Sequence, residues 1–188
     1  MRDSIALDST RLQRLQQRPL WDFALSLYSQ PGVEAVCLVL QDEAEVDVCE
    51  LLFHCWLYTN GLEAVPAALE REREQRRFWQ CQVTEVLRRL RQDLKPMAAS
   101  SEPVAALRET IKQAELMAER ENLQRWQAWV FEAPNDEERV MNVVEMSLDT
   151  ANWLQNKLFS TQSGHPTGGG AKEQHAWFDS LQTLTCQL

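Results

Sequence analysis

Only two glycines, Gly32 and Gly61, precede residue 164, and the chain's other four fall in the run "SGHPTGGGAKEQ". Tight hairpins need a positive φ at their turn residues, which glycine supplies at least cost. A body this poor in glycine has little means of building a hairpin-rich β fold, so long helices are the natural alternative.

Apolar spacing agrees. "DST" at 8–10 offers N-caps for a short helix carrying Leu12 and Leu15, which Pro19 closes. Leu20, Phe23, Ala24, Leu27 and Tyr28 follow helical spacing up to "SQPG". Pro31 suits the first turn of a helix striped by Val33, Val36, Cys37 and Leu40. There "VCLVL" reads as helix, because no second convincing strand exists to pair with it. Asp47 and Glu50 resemble a capping box ahead of Leu51, Leu52, Cys55 and Trp56, and "NG" at 60–61 supplies the C-cap.

Three longer helices follow. One is expected over about 64–95, with "EREREQRR" inside it, a stripe of Trp79, Val83, Val86, Leu87, Leu90 and Leu94, and Pro96 at its end. The next carries Val104, Leu107, Ile111, Ala114 and Ala118 at heptad-like spacing, then Leu123, Trp126 and Val130. The last is expected after "APNDEE", with Val140, Val144, Leu148, Ala151, Leu154 and Leu158 on one face. The expected fold is all-α, a helical bundle of about six helices: short apolar N-terminal helices packed with three long amphipathic ones. It comprises one domain over 1–159, a flexible linker over 160–174, and a short amphipathic tail over 175–188.

Composition narrows the function classes. Net charge is −9, which argues against non-specific binding to nucleic acid or anionic membranes. No run approaches the ~20 apolar residues of a membrane span, and five irregularly spaced cysteines read as reduced thiols, so a cytoplasmic protein is expected. Residues 19–70 contain no Lys or Arg and hold nine acids, while the remaining 19 acids balance 19 bases. Immediately afterwards residues 71–95 carry Arg71, Arg73, Arg76, Arg77, Arg88, Arg89, Arg91 and Lys95 against only Glu72, Glu74, Glu85 and Asp93. Either the two segments pair internally or the acidic one recruits a partner.

Residues 20–58, with "LWDFAL", "PGVEA", "LQ" and "DV..LLF..W" in that order, resemble the signature of a family of uncharacterised bacterial proteins known only as a domain of unknown function. The resemblance implies a bacterial, cytosolic, helical protein and brings no activity, cofactor or catalytic residue with it.

Candidate sites are few. "DEAEVD" places Asp42, Glu45 and Asp47 close together, and hard cations such as Mg²⁺ take oxygen ligands. Its spacing is not the DDxxD of helical prenyl-diphosphate enzymes, and capping explains it and the "NDEE" cluster at 135–138 more simply. Cys49, His54 and Cys55 do not share a helix face as zinc ligands would. No P-loop, GxGxxG or GxSxG is present, and no cofactor is expected. Seven tryptophans are many for 188 residues; Trp126 and Trp129 suit either core or a contact surface. Beyond the linker, Trp177, Phe178, Leu181 and Leu184 have the spacing of a docking helix, acting either on this chain's own body or on a partner. The leading expectation is a non-enzymatic helical protein-interaction module, an adaptor or regulator whose surfaces also allow self-association. The alternative is a small-molecule site between helices, either an Mg-dependent diphosphate enzyme or a binder of a lipid-like ligand. A deep pocket lined by Asp42, Glu45 or Asp47 and a second set of carboxylates favours that alternative.

Overall fold

The centre of the molecule is a helix that water scarcely reaches. In a computed structural model, which describes residues 9–132, 138–143, 149–159 and 171–188, helix α4 (Val48–Thr59) buries Cys49 and every residue from Leu51 to Tyr58. Around it pack α2 (Leu20–Tyr28), α3 (Val33–Ala44), strand β1 (Leu62–Ala64), the long helix α8 (Glu102–Phe131) and α9 (Thr150–Phe159). A helix apolar on all sides is one that neighbours cover on all sides. A lysine at the buried positions of α4 would have no route for its ammonium to water, which accounts for the absence of bases at those positions.

Asp47 starts α4 by accepting hydrogen bonds from the Cys49 and Glu50 amides at 2.8 and 3.3 Å. Only this half of the expected capping box forms, because Glu50 turns inward. Gly61 ends the segment with φ +70, and a Cβ there would sit 2.9 Å from the Arg11 guanidinium, which donates to the Gly61 carbonyl. Helix α1 (Ser9–Gln17) and helices α2 to α4 lie where the apolar spacing places them, and "VCLVL" is helical.

The chain is mostly helical, with more and shorter helices than the six expected. The expected helix over 64–95 is α5 (Pro66–Trp79), a π-helical turn at Gln80–Thr84, and α6 (Glu85–Asp93). The short α7 (Lys95–Ala98) then carries Pro96 in its first turn. Helices α6 and α7 fold back on the first half of α8 as a hairpin. Two helices cannot enclose a core, so Val86 and Leu90 of the expected stripe are about half exposed, as is Leu107 on α8. Ion pairs stitch the hairpin instead. Glu115 accepts from Arg88 at 3.0 Å and from both Nε and Nη2 of Arg91, while Arg88 also reaches Glu119 at 2.8 Å. Arg88 and Arg91 therefore pair with α8, whereas Arg73 of the same basic segment pairs with Glu50 and Glu70 of the acidic one.

Val140 is a second correction. Val140–Asn142 form strand β2, antiparallel to β1, with Leu62 opposite Asn142 and Ala64 opposite Val140. Backbone bonds from Val65 to Arg139 and from Val143 to Gly61 extend the pairing. Helix α9 begins at Thr150, so the expected last helix is shorter at its start. Val144, Leu148 and residues 135–137 of the "NDEE" cluster lie outside the described residues, as do Asp8 and positions 160–170 of the expected linker.

Helix α10 (Ala171–Thr185) includes the last four positions assigned to the linker, residues 171–174. It packs on α3 and α9 of its own chain. Leu181 and Leu184 are fully buried there and Phe178 half-buried, while the Trp177 side chain lies outside the described residues. Among the described residues no single helix is long and apolar enough to cross a membrane; α2 and α3 together approach that composition, with a bend of 104° between them.

Candidate functional site

Where α5 crosses the end of α3 and the start of α4, the fold leaves a cleft of about 790 Å³. That volume lies within the range of small-molecule sites. One wall comes from α5 and the π turn, whose Arg73, Arg76, Arg77 and Gln80 line it. The opposite wall holds Glu45, Asp47 and Glu50, and Leu158 and Phe159 of α9 close one end. Arg73, Arg76 and Gln80 are spaced three and four apart and so share a helix face. The π turn begins at Gln80, and such turns occur often at functional sites.

Arg73 is fully engaged. Its Nε lies 2.6 Å from Glu50 Oε1, its Nη1 3.2 Å from Glu70, and its Nη2 donates to the Lys157 carbonyl. Burial works against ionised Glu50, but the His54 and Arg73 donors overcome it and hold the carboxyl below its usual range. His54 is wholly buried, 3.3 Å from Glu50, and burial pushes its imidazole down toward the neutral form. It lies within the core.

Arg76 differs. It is 7% exposed, and Glu72 lies 2.8 Å from its Nε without an aligned hydrogen bond. Its Nε and Nη1 both lack hydrogen-bond partners, and one turn along the same wall the buried Oε1 of Gln80 lacks one too. A buried guanidinium with unmet donors is costly, and groups of this kind call for a ligand or another polar partner.

Next to the cleft lies a smaller hollow of about 150 Å³, walled by Trp21, Leu25, Val48, Leu52, Leu116 and Leu123. The two adjoin across Gln41, Asp47, Gln80 and Arg88, which line both.

Of the carboxylates singled out in the sequence, Glu45 and Asp47 line the cleft and Asp42 does not. Asp42 is exposed and accepts from Gln41; Glu45 ends α3 in the left-handed conformation at φ 52. Among the described residues, no three His, Cys, Asp or Glu side chains are grouped as metal ligands. All five cysteines are free; burial pushes Cys37 up to about 11 and Cys49 well above its usual value, so neither is a ready thiolate. Trp126 and Trp129 are core residues: Trp126 is fully buried and stacks on Phe53 at 4.6 Å, with Trp129 against its edge at 6.1 Å. The sequence reading counted the arginines of α5 in the basic segment but did not name them as site residues, because "EREREQRR" looks like a largely solvated face. The signal was the shared face of Arg73, Arg76 and Gln80.

Residues 19–126 match the model of a family described as "Protein of unknown function (DUF2390)". The chain belongs to that family. The DUF2390 span runs from the start of α2 into α8, so it contains the arginine wall and its facing acids, and leaves Leu158 and Phe159 outside. No curated protein and no solved structure matches the chain.

Asp47 gives the site a pH dependence. Burial pushes its carboxyl up to about 6, with Glu50 adding to the effect. A folded-state value above the unfolded one gives stability that is full below the unfolded pKa, near 4, and is lost as pH rises through about 6. An asparagine at this position would keep the capping acceptor without titrating. Asp47→Asn is therefore expected to exceed the parent chain by about 1–3 kcal/mol at pH 7.5, with the advantage gone below about pH 4. Urea denaturation at the two pH values checks this, and a gap that does not change with pH contradicts it.

Proposed function

We propose that this chain is a small-molecule-binding protein whose arginine-walled cleft takes a ligand with an anionic group, a carboxylate or a phosphate. The observation that carries this reading is Arg76, buried in the wall of a ligand-sized cleft with Nη1 unpartnered. A charge-assisted bond from a buried arginine is among the stronger polar contacts a protein offers, and its planar fork matches oxyanions. The nearby acids leave the donors of Arg76 unmet. Glu72 lies 2.8 Å from Nε without an aligned bond and does not satisfy Nη1, Glu50 and Glu70 are paired with Arg73, Asp47 caps α4, and Glu45 is exposed at the rim. Binding, more than catalysis, fits a site whose neighbouring thiols are held protonated.

The test is titration of the full chain with inorganic phosphate and with acetate at low ionic strength, followed by NMR. Saturable binding of at least one is expected, weakened about tenfold or more by Arg76→Met. No saturation with either anion, or equal binding by the variant, contradicts the reading.

A second reading, the helical protein-interaction module, is supported by apolar side chains that the α6–α8 hairpin leaves in solvent: Leu90, Met97, Leu107 and Met117 are each 45% exposed or more. With either reading we infer a bacterial cytoplasmic setting, which its five free cysteines suit.

A further inference from the structure

We propose that the ligand of the cleft is amphipathic, with a single anionic head at Arg76 and Gln80 and a short alkyl chain in the adjoining apolar hollow. The inference rests on the anion-binding reading and specifies the rest of the ligand. Gln80 links the two parts. It stands one helical turn from Arg76 and lines both spaces, so a head bonded to Arg76 and Gln80 already lies at the hollow's wall. Its unpartnered Oε1 accepts, which suits a head that also donates, such as a protonated phosphate monoester.

The hollow's lining sets the chemistry of the tail. Trp21, Val48, Leu52 and Leu123 make the lining mainly apolar, with Tyr28, Cys49, Glu119 and the shared Asp47 and Arg88 among its polar members, and Leu25 and Leu116 stand about half exposed at its mouth. Exposed leucines on α2 and α8 facing one small cavity form an entrance that an alkyl chain would cover. A volume of 150 Å³ accommodates about five groups of water or methylene size, so the chain is short. The acids around the larger space, Glu45, Glu70 and Glu85, disfavour a head with several charges.

The experiment is a chain-length series on the full chain by calorimetry: ethyl, butyl, hexyl and octyl phosphate, with the matching carboxylates in parallel to identify the head. Affinity is expected to rise about fourfold per methylene up to about five or six carbons and then level off, since each buried methylene contributes a roughly constant increment. Leu25→Gln with Leu116→Gln, both at exposed positions, is expected to flatten that dependence; far-UV circular dichroism verifies that the double variant is folded. Equal affinities along the series, with sensitivity to Arg76→Met intact, overturn the tail assignment and leave the anion reading standing. A rise with chain length that ignores Arg76→Met overturns the head assignment and the anion reading with it.

Discussion

Arg73→Met is expected to destabilise the folded chain by about 3–5 kcal/mol, the loss that follows when one member of a buried ion pair is removed and the other charge stays behind. Arg73 and Glu50 are 8% and 13% exposed at the side chain and 2.6 Å apart, so water cannot readily replace the missing guanidinium. Among the described residues, the other basic group bonded to Glu50 is His54, which burial keeps toward its neutral form. Arg73 also caps the Lys157 carbonyl, so the variant loosens α9 from α5. Glu50→Gln in the same chain should restore a large part of the loss, since the stranded charge is then gone. In the parent, Glu50 contributes stability above its unfolded pKa, and that contribution is lost as pH falls through its lowered folded value; in Arg73→Met the loss sets in at higher pH. Urea unfolding of the parent and the two variants measures all of this. A single-variant loss below about 1 kcal/mol would place the pair in the class of exposed salt bridges and remove it as a structural strut.

Trp126→Ala is expected to cost a similar ~3–5 kcal/mol, the usual toll of truncating a buried aromatic. Its indole is fully buried between Phe53 of α4 and Trp129 on its own helix. Its Nε1 has no hydrogen-bond partner, so part of the loss is offset by removing an unmet donor. Differential scanning calorimetry should show a melting temperature lower by about 6–20 °C for a chain of this length. A change of a degree or two would mean that the side chain lies on a surface, the contact role the sequence also allowed.

Helix α4 and its neighbours were legible because their information is local: apolar spacing, Asp47 before the helix and Gly61 after it. Strand β2 was not, since Val140 fits a helical stripe and its strand partner lies near residue 64, a pairing only the folded chain creates. The hairpin stripe misled for a related reason. Val86 and Leu90 have the spacing of a buried face, yet burial depends on how many helices surround them. For the site, charge pattern was the obstacle: Arg73 and Arg76 sit in a run in which acids and bases alternate, and only the third dimension turns one face of it toward Asp47 and Glu50. Trp126 and Trp129 show the converse, because aromatic excess marks cores and interfaces alike.

The most direct measurement is arginine side-chain NMR of the full chain during titration with hexyl phosphate. If Arg76 is the anion-binding group, its Nε–Hε signal shifts with saturation, the Gln80 side-chain amide shifts in step with it, and the exposed Arg89 stays where it is. Shifts confined to exposed arginines and growing linearly with concentration, with Arg76 unmoved, would contradict a ligand site in this cleft.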